Sequence, residues 1–170
     1  MQEKKLFEYA VIRIVPRVER EEFLNVGVIL YCRDQKFLQS LYHINEKRIR
    51  LFCDQLDIEE IEEYLKTFER ICSGGINAGP IARLPLAERF RWLTATRSTI
   101  IQTSKVHAGF TINPAETLNK LFGQLVLEEM NFFLMICSKK INIAVFFLHK
   151  YYSCFANSLI KQATSDVHPV

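Results

Sequence analysis

The sequence predicts an α+β fold, a small antiparallel or mixed sheet covered by two or three helices, in one domain over residues 5–130. Three observations predict it: strand-like apolar runs near the N-terminus, two helices with distinct caps downstream, and spacing between strands and helices too irregular for a doubly wound α/β chain. Residues 6–15 (LFEYAVIRIV) are rich in β-branched and aromatic side chains and end at Pro16, which cannot donate to a sheet ladder. Residues 25–32 (NVGVILYC) form a nearly continuous apolar run. A polar turn at residues 33–36 leads to residues 37–42 (FLQSLY), so the second and third strands are expected to form a hairpin. Gly27 inside the second strand suggests a bulge or a close backbone approach, and Asn25 a cap on the preceding turn.

Asp57 followed by Glu60 has the capping-box spacing, and Ile58, Ile61, Tyr64, Leu65, Phe68, Ile71 and Cys72 then recur on one helical face until Gly74-Gly75. Asn113, Pro114 and Glu116 open a second helix, with Leu118, Leu121, Phe122, Leu125 and Val126 as its apolar stripe. Between the two, residues 85–96 read as a shorter helix, and residues 98–102 and 106–110 as two short strands.

Half of the 170 residues are apolar and 13 are Phe, enough for one good core. The five cysteines include no C-x-x-C pair and suit small buried hydrophobes in a reducing compartment. The N-terminus has no apolar stretch of the secretory kind, so a cytoplasmic protein is expected. The net charge of +3 resides in residues 131–170, where Lys139, Lys140, Lys150 and Lys161 face one acid, Asp166; the remaining residues balance at eighteen basic and eighteen acidic. A neutral body lacks the basic footprint of a nucleic-acid binder. In the C-terminal segment an apolar stretch of about 17 residues carries two lysines near its middle, which argues against a membrane span.

Several residues are candidates for function. Arg13 shares a sheet face with Tyr9 and Val11 and needs an anionic partner, either Glu22 or Glu88 in a structural ion pair, or a ligand in a pocket that it lines. Arg89, Arg91 and Arg97 are expected in one short helix, with Arg89 and Arg97 on the same face. Arg97-Ser98-Thr99 sets guanidinium donors beside two hydroxyls, a combination that suits a phosphate or carboxylate, although such residues also simply cap and begin elements. Trp92 beside Phe90 reads as core; an exposed Trp92 would instead anchor a partner. His107 could serve as a base, but no nucleophile or orienting acid is spaced to accompany it. His43, His149 and His168 show no metal-ligand spacing. No phosphate-binding or dinucleotide glycine motif occurs, so no cofactor is expected.

Two stretches, YAVIRIVP with EFLNVGVIL (residues 9–16 and 22–30) and ERFRWLTATRST with SKVHAG (residues 88–99 and 104–109), resemble the bacterial family called Domain of Unknown Function 3037. The likeness covers about residues 7–127. Arg20-Glu21 and Thr96 depart from its pattern where the family tends to have Gly before Glu and Pro. The segment from Asn131 is not covered, as expected of a lineage-specific extension or a shifted reading frame. Such domains tend to be encoded beside a HipA-like kinase, so the resemblance implies a non-enzymatic interaction or accessory domain that partners this kinase through the surface around Arg89, Trp92 and Arg97. The alternative is a small-ligand or phosphate-binding domain, an enzyme among the options, in which Arg13, Arg97, Ser98, Thr99 and His107 converge.

Overall fold

In the computed structural model residues 3–127 are described; the readings made for the segment from Asn131 lie outside them. The elements run β1 (Lys5–Ile14), β2 (Leu24–Cys32), β3 (Phe37–Tyr42), α1 (Glu46–Phe52), α2 (Ile58–Ser73), α3 (Leu86–Leu93), β4 (Ile101–Thr103), β5 (His107–Thr111) and α4 (Pro114–Phe122), which passes into one π-helical turn at Gly123–Leu127. All strand pairs are antiparallel, which settles the choice between an antiparallel and a mixed sheet.

β1 is the centre of the sheet. β2 and then β3 pair along one edge, while the other edge is shared: β5 pairs with Lys5–Tyr9 and β4 with Ile12–Ile14. Ser104 bridges the gap between these two, its amide donating to the Val11 carbonyl at 2.8 Å and its hydroxyl accepting from the Val11 amide at 2.9 Å. The two short strands expected from the sequence are therefore one sheet edge, interrupted. β4 begins later than expected because Ser98 and Thr99 lie in a bend before it.

Both faces of the sheet are covered, which explains the continuous apolar run of β2. On one face Ala10, Ile12, Ile14, Ile29 and Tyr31 pack with Ile49 of α1, Leu65 and Phe68 of α2, and Phe90 of α3. On the other, Phe7, Val28, Leu30 and Cys32 pack with Leu118 of α4 and Val126 of the π turn. Val26 is the extra residue where the β1–β2 register shifts, and it moves Leu24 onto the first face. Gly27, beside this bulge, also meets a close backbone: a Cβ there would stand 2.6 Å from the Leu41 carbonyl oxygen.

The expected caps are present. Asp57 accepts from the amides of Glu59 and Glu60, and Asn113 from those of Ala115 and Glu116. α1 was not expected; Asn45 caps it, and its single buried residue, Ile49, leaves no periodic stripe to read. α3 ends at Leu93, where Thr94 donates from both its amide and its hydroxyl to the Phe90 carbonyl. Arg97 therefore lies beyond the helix and does not share a face with Arg89, contrary to the expectation of one helix carrying both.

Arg89 joins two helices. It is 8% exposed, and its guanidinium donates to the carbonyls of Ile71 and Cys72 at 2.9 and 2.8 Å, in the last turn of α2. Those carbonyls have no partner within their own helix, and a cation there also meets the negative end of the helix dipole. Gly74, at φ 77°, makes room, since a Cβ at this position would collide with the guanidinium.

Two changes test these constraints. Gly27→Ala is expected to lower stability by about 1–3 kcal/mol through overpacking, read as a shifted urea midpoint at unchanged slope. Arg89→Met is expected to cost about 1.5–3 kcal/mol by leaving the α2 carbonyls without a charged donor, and hydrogen exchange should show the last turn of α2 opening first.

Candidate functional site

The face of the sheet that carries α2 also holds a cavity of about 280 Å3 between α2, the end of α3 and β4. Its walls are apolar: Phe68 and Ile71 from α2, Trp92 and Leu93 from α3, Ile100 and Ile101 leading into β4. Tyr64 and Thr67 line it from α2, and Arg97 and Thr99 from the segment joining α3 to β4. Because the helix stops at Leu93, the chain turns back and lays Arg97 over Trp92, with the guanidinium carbon 3.9 Å from the ring centroid and an N–H donating to the Trp92 carbonyl. The guanidinium is thus held flat against the indole, an attractive cation–π arrangement. Trp92 remains 38% exposed, in contrast to the fully buried Phe90 two residues before it.

The bend leading into β4 is tied internally. The Thr99 hydroxyl donates to the Ile101 carbonyl at 2.6 Å, and Gln102 donates through Nε2 to the Thr99 carbonyl at 2.9 Å. Thr103 also lines the cavity, and its buried hydroxyl oxygen has no hydrogen-bond partner among the described residues. The lining contains no carboxylate, histidine or cysteine. It can receive an apolar group and an anion, and it offers no acid–base pair.

The structure brings Trp92, Arg97 and Thr99 together and distributes the other candidates. Ser98 is exposed in the bend and does not line the cavity. Arg89 is buried at the end of α2 and so contributes nothing to a partner surface. Arg91, two residues on, forms a bidentate pair with Glu8 of β1 at 2.9 and 3.0 Å. Arg13 faces the other side of the sheet, as its period with Tyr9 implied. There it stacks on Phe23 at 3.9 Å, and among the described residues neither Glu22 nor Glu88 pairs with it. Glu22 pairs with Arg20 at 2.8 Å. Burial without a described anion lowers the Arg13 pKa.

Asn25 stands opposite Arg13 and donates to the Leu125 carbonyl at 3.2 Å, so it ties β2 to the π turn rather than capping a preceding turn. His107, opposite Tyr9, is exposed with its ring 5.2 Å from the Tyr9 ring. Arg13 and His107 therefore do not meet Arg97 and Thr99, and the five-residue convergence considered from the sequence does not form. Cys72 is no nucleophile either, since burial pushes its thiol up to about 12. Among the described residues no group of His, Cys, Asp and Glu could hold a metal, and no helix is long and apolar enough to cross a membrane.

Sequence reasoning missed the contribution of α2 to this site. The sequence places Tyr64 on the apolar stripe of α2 without distinguishing it from the core positions, and only the structure shows it 51% exposed beside the cavity.

No curated protein and no solved structure matches this chain. A family model described as "Protein of unknown function (DUF3037)" matches residues 9–126, a span that includes β1 from Tyr9 onward, the other four strands and the whole lining of the cavity. The chain belongs to the DUF3037 family.

Proposed function

We propose that this domain is a non-enzymatic interaction module that docks a protein partner at the Trp92–Arg97 cavity. One observation carries the reading: a half-exposed tryptophan with an arginine stacked on it stands at the mouth of an apolar cavity whose lining has no acid–base pair. Trp and Arg dominate the energetics of protein interfaces because a large flat surface and a fixed fork of donors lose little entropy on binding. The partner chemistry that fits is an apolar side chain for the cavity and a neighbouring carboxylate for Arg97. The HipA-like kinase neighbourhood implied by the family resemblance makes such a kinase the first partner to test. The full chain should form a complex with a HipA-like kinase from the same genome, and Trp92→Ala or Arg97→Ala should weaken that complex about tenfold or more. His107→Ala, on the opposite face, should leave it unchanged. No complex at micromolar concentrations would remove the kinase as partner.

A second reading, a small amphipathic anion as ligand, is favoured by the buried Thr103 hydroxyl, which has no described partner and could donate to an acceptor deep in the cavity. Thermal unfolding of the full chain against a panel of nucleotides and phosphorylated or carboxylated metabolites tests it. A ligand at 100 times its dissociation constant adds about 2.7 kcal/mol, and Arg97→Ala should abolish the shift. No shift from any member of the panel leaves the protein-docking reading alone.

A further inference from the structure

β4 is a wall of the cavity and also an open edge of the sheet. It pairs with β1 through Ile14–Ile101, Arg13–Gln102 and Ile12–Thr103, and among the described residues no strand pairs with its other side. Two hydrogen bonds fix the phase of this ladder: the Val15 amide donates to the Ile100 carbonyl, and the Ser104 amide to the Val11 carbonyl, each at 2.8 Å. Antiparallel ladders alternate bonded and non-bonded pairs. Ile100, Gln102 and Ser104 therefore turn their backbone groups toward β1, while Ile101 and Thr103 turn theirs outward. The Thr99 hydroxyl already occupies the Ile101 carbonyl. The Ile101 amide and both backbone groups of Thr103 have no such internal partner among the described residues.

The side chains of these same two residues face the cavity. Ile101 and Thr103 stand opposite Ile14 and Ile12, which belong to the core on the α2 face, and both line the cavity. Residues directly opposite each other in a ladder project to the same face. A strand added outside β4 would thus exchange backbone bonds with Thr103 through a residue whose side chain also projects to the cavity side. Residues two apart on that strand share the face and lie about 7 Å from each other. One can enter the cavity while the other reaches Arg97, which no described carboxylate engages.

We propose that β4 binds an extended peptide segment as an added strand, with an apolar side chain in the cavity and a carboxylate side chain two residues away on Arg97. This inference rests on the reading of the cavity as the docking site. It adds a backbone-mediated mode that the docking reading does not require.

The test selects peptides from a phage-displayed library of random octapeptides against the full chain, then measures synthetic versions carrying single N-methyl groups. The expected consensus is an apolar residue and an acid separated by one position. Methylation of the alternate nitrogens that face β4 should weaken binding about tenfold, and methylation of the intervening ones should not. The Thr103 amide should gain hydrogen-exchange protection in the complex, and Arg97→Ala should erase the preference for the acid. If binding depends on Trp92 but every N-methyl peptide binds equally, strand addition is overturned while the cavity remains the docking site. If the library yields no peptide whose binding depends on Trp92, strand addition is likewise overturned, and the docking reading then stands or falls on the kinase complex.

Discussion

The architecture depends on the placement of β1, which is hydrogen-bonded along both edges and covered on both faces. A strand so placed has to satisfy the backbone groups of its buried residues through its neighbours. Its β5/β4 edge is met by a chain that breaks at Ser104, and the serine supplies from its side chain the bond that the break removes. Because β5 takes the first half of that edge, β4 is left with three residues. The short β4, the end of α3 and the flank of α2 then meet around a space that no described side chain fills.

Much of this was legible in the sequence, and what was legible was local. Strand composition, the Asn113-Pro114 start and the Asp57 cap each act within a few residues, so each can be recognised without knowing the fold. The bulge at Val26 was signalled only by its glycine neighbour, but the physical reason was sound: a residue without Cβ stands where another backbone comes too close. α1 escaped notice because seven residues with one buried position create no period. The end of α3 escaped notice for a different reason. Thr94 closes the helix by bonding back to Phe90, and no glycine or proline marks the stop. That one error placed Arg97 on a helix and paired it with Arg89.

The arginines show why the site was harder to read than the fold. Arg89, Arg91 and Arg97 lie within nine positions, yet one is buried against helix carbonyls, one pairs with Glu8, and one stacks on Trp92. Each outcome follows from what the guanidinium meets across the chain, and the sequence gives no account of distant backbone carbonyls. Burial of Arg89 is tolerable because two carbonyls at the end of a helix, with its dipole behind them, serve as a diffuse anion. Arg91 sits at the surface, where an ion pair contributes about 0–1 kcal/mol, so it positions little by itself.

Arg97 differs from both because its stacking partner does not neutralise its charge and no described carboxylate pairs with it. A ring quadrupole attracts a cation but does not replace a carboxylate, and among the described residues only the Trp92 carbonyl accepts from the guanidinium. The arginine is thereby immobilised before any partner arrives, and the entropy of ordering a long side chain is not lost on binding. The same holds for β4, whose outward backbone groups are fixed by pairing on the opposite side. Rigid donors beside an apolar cavity favour recognition by shape and charge. The lining around them supplies apolar surface, hydroxyls and this one guanidinium.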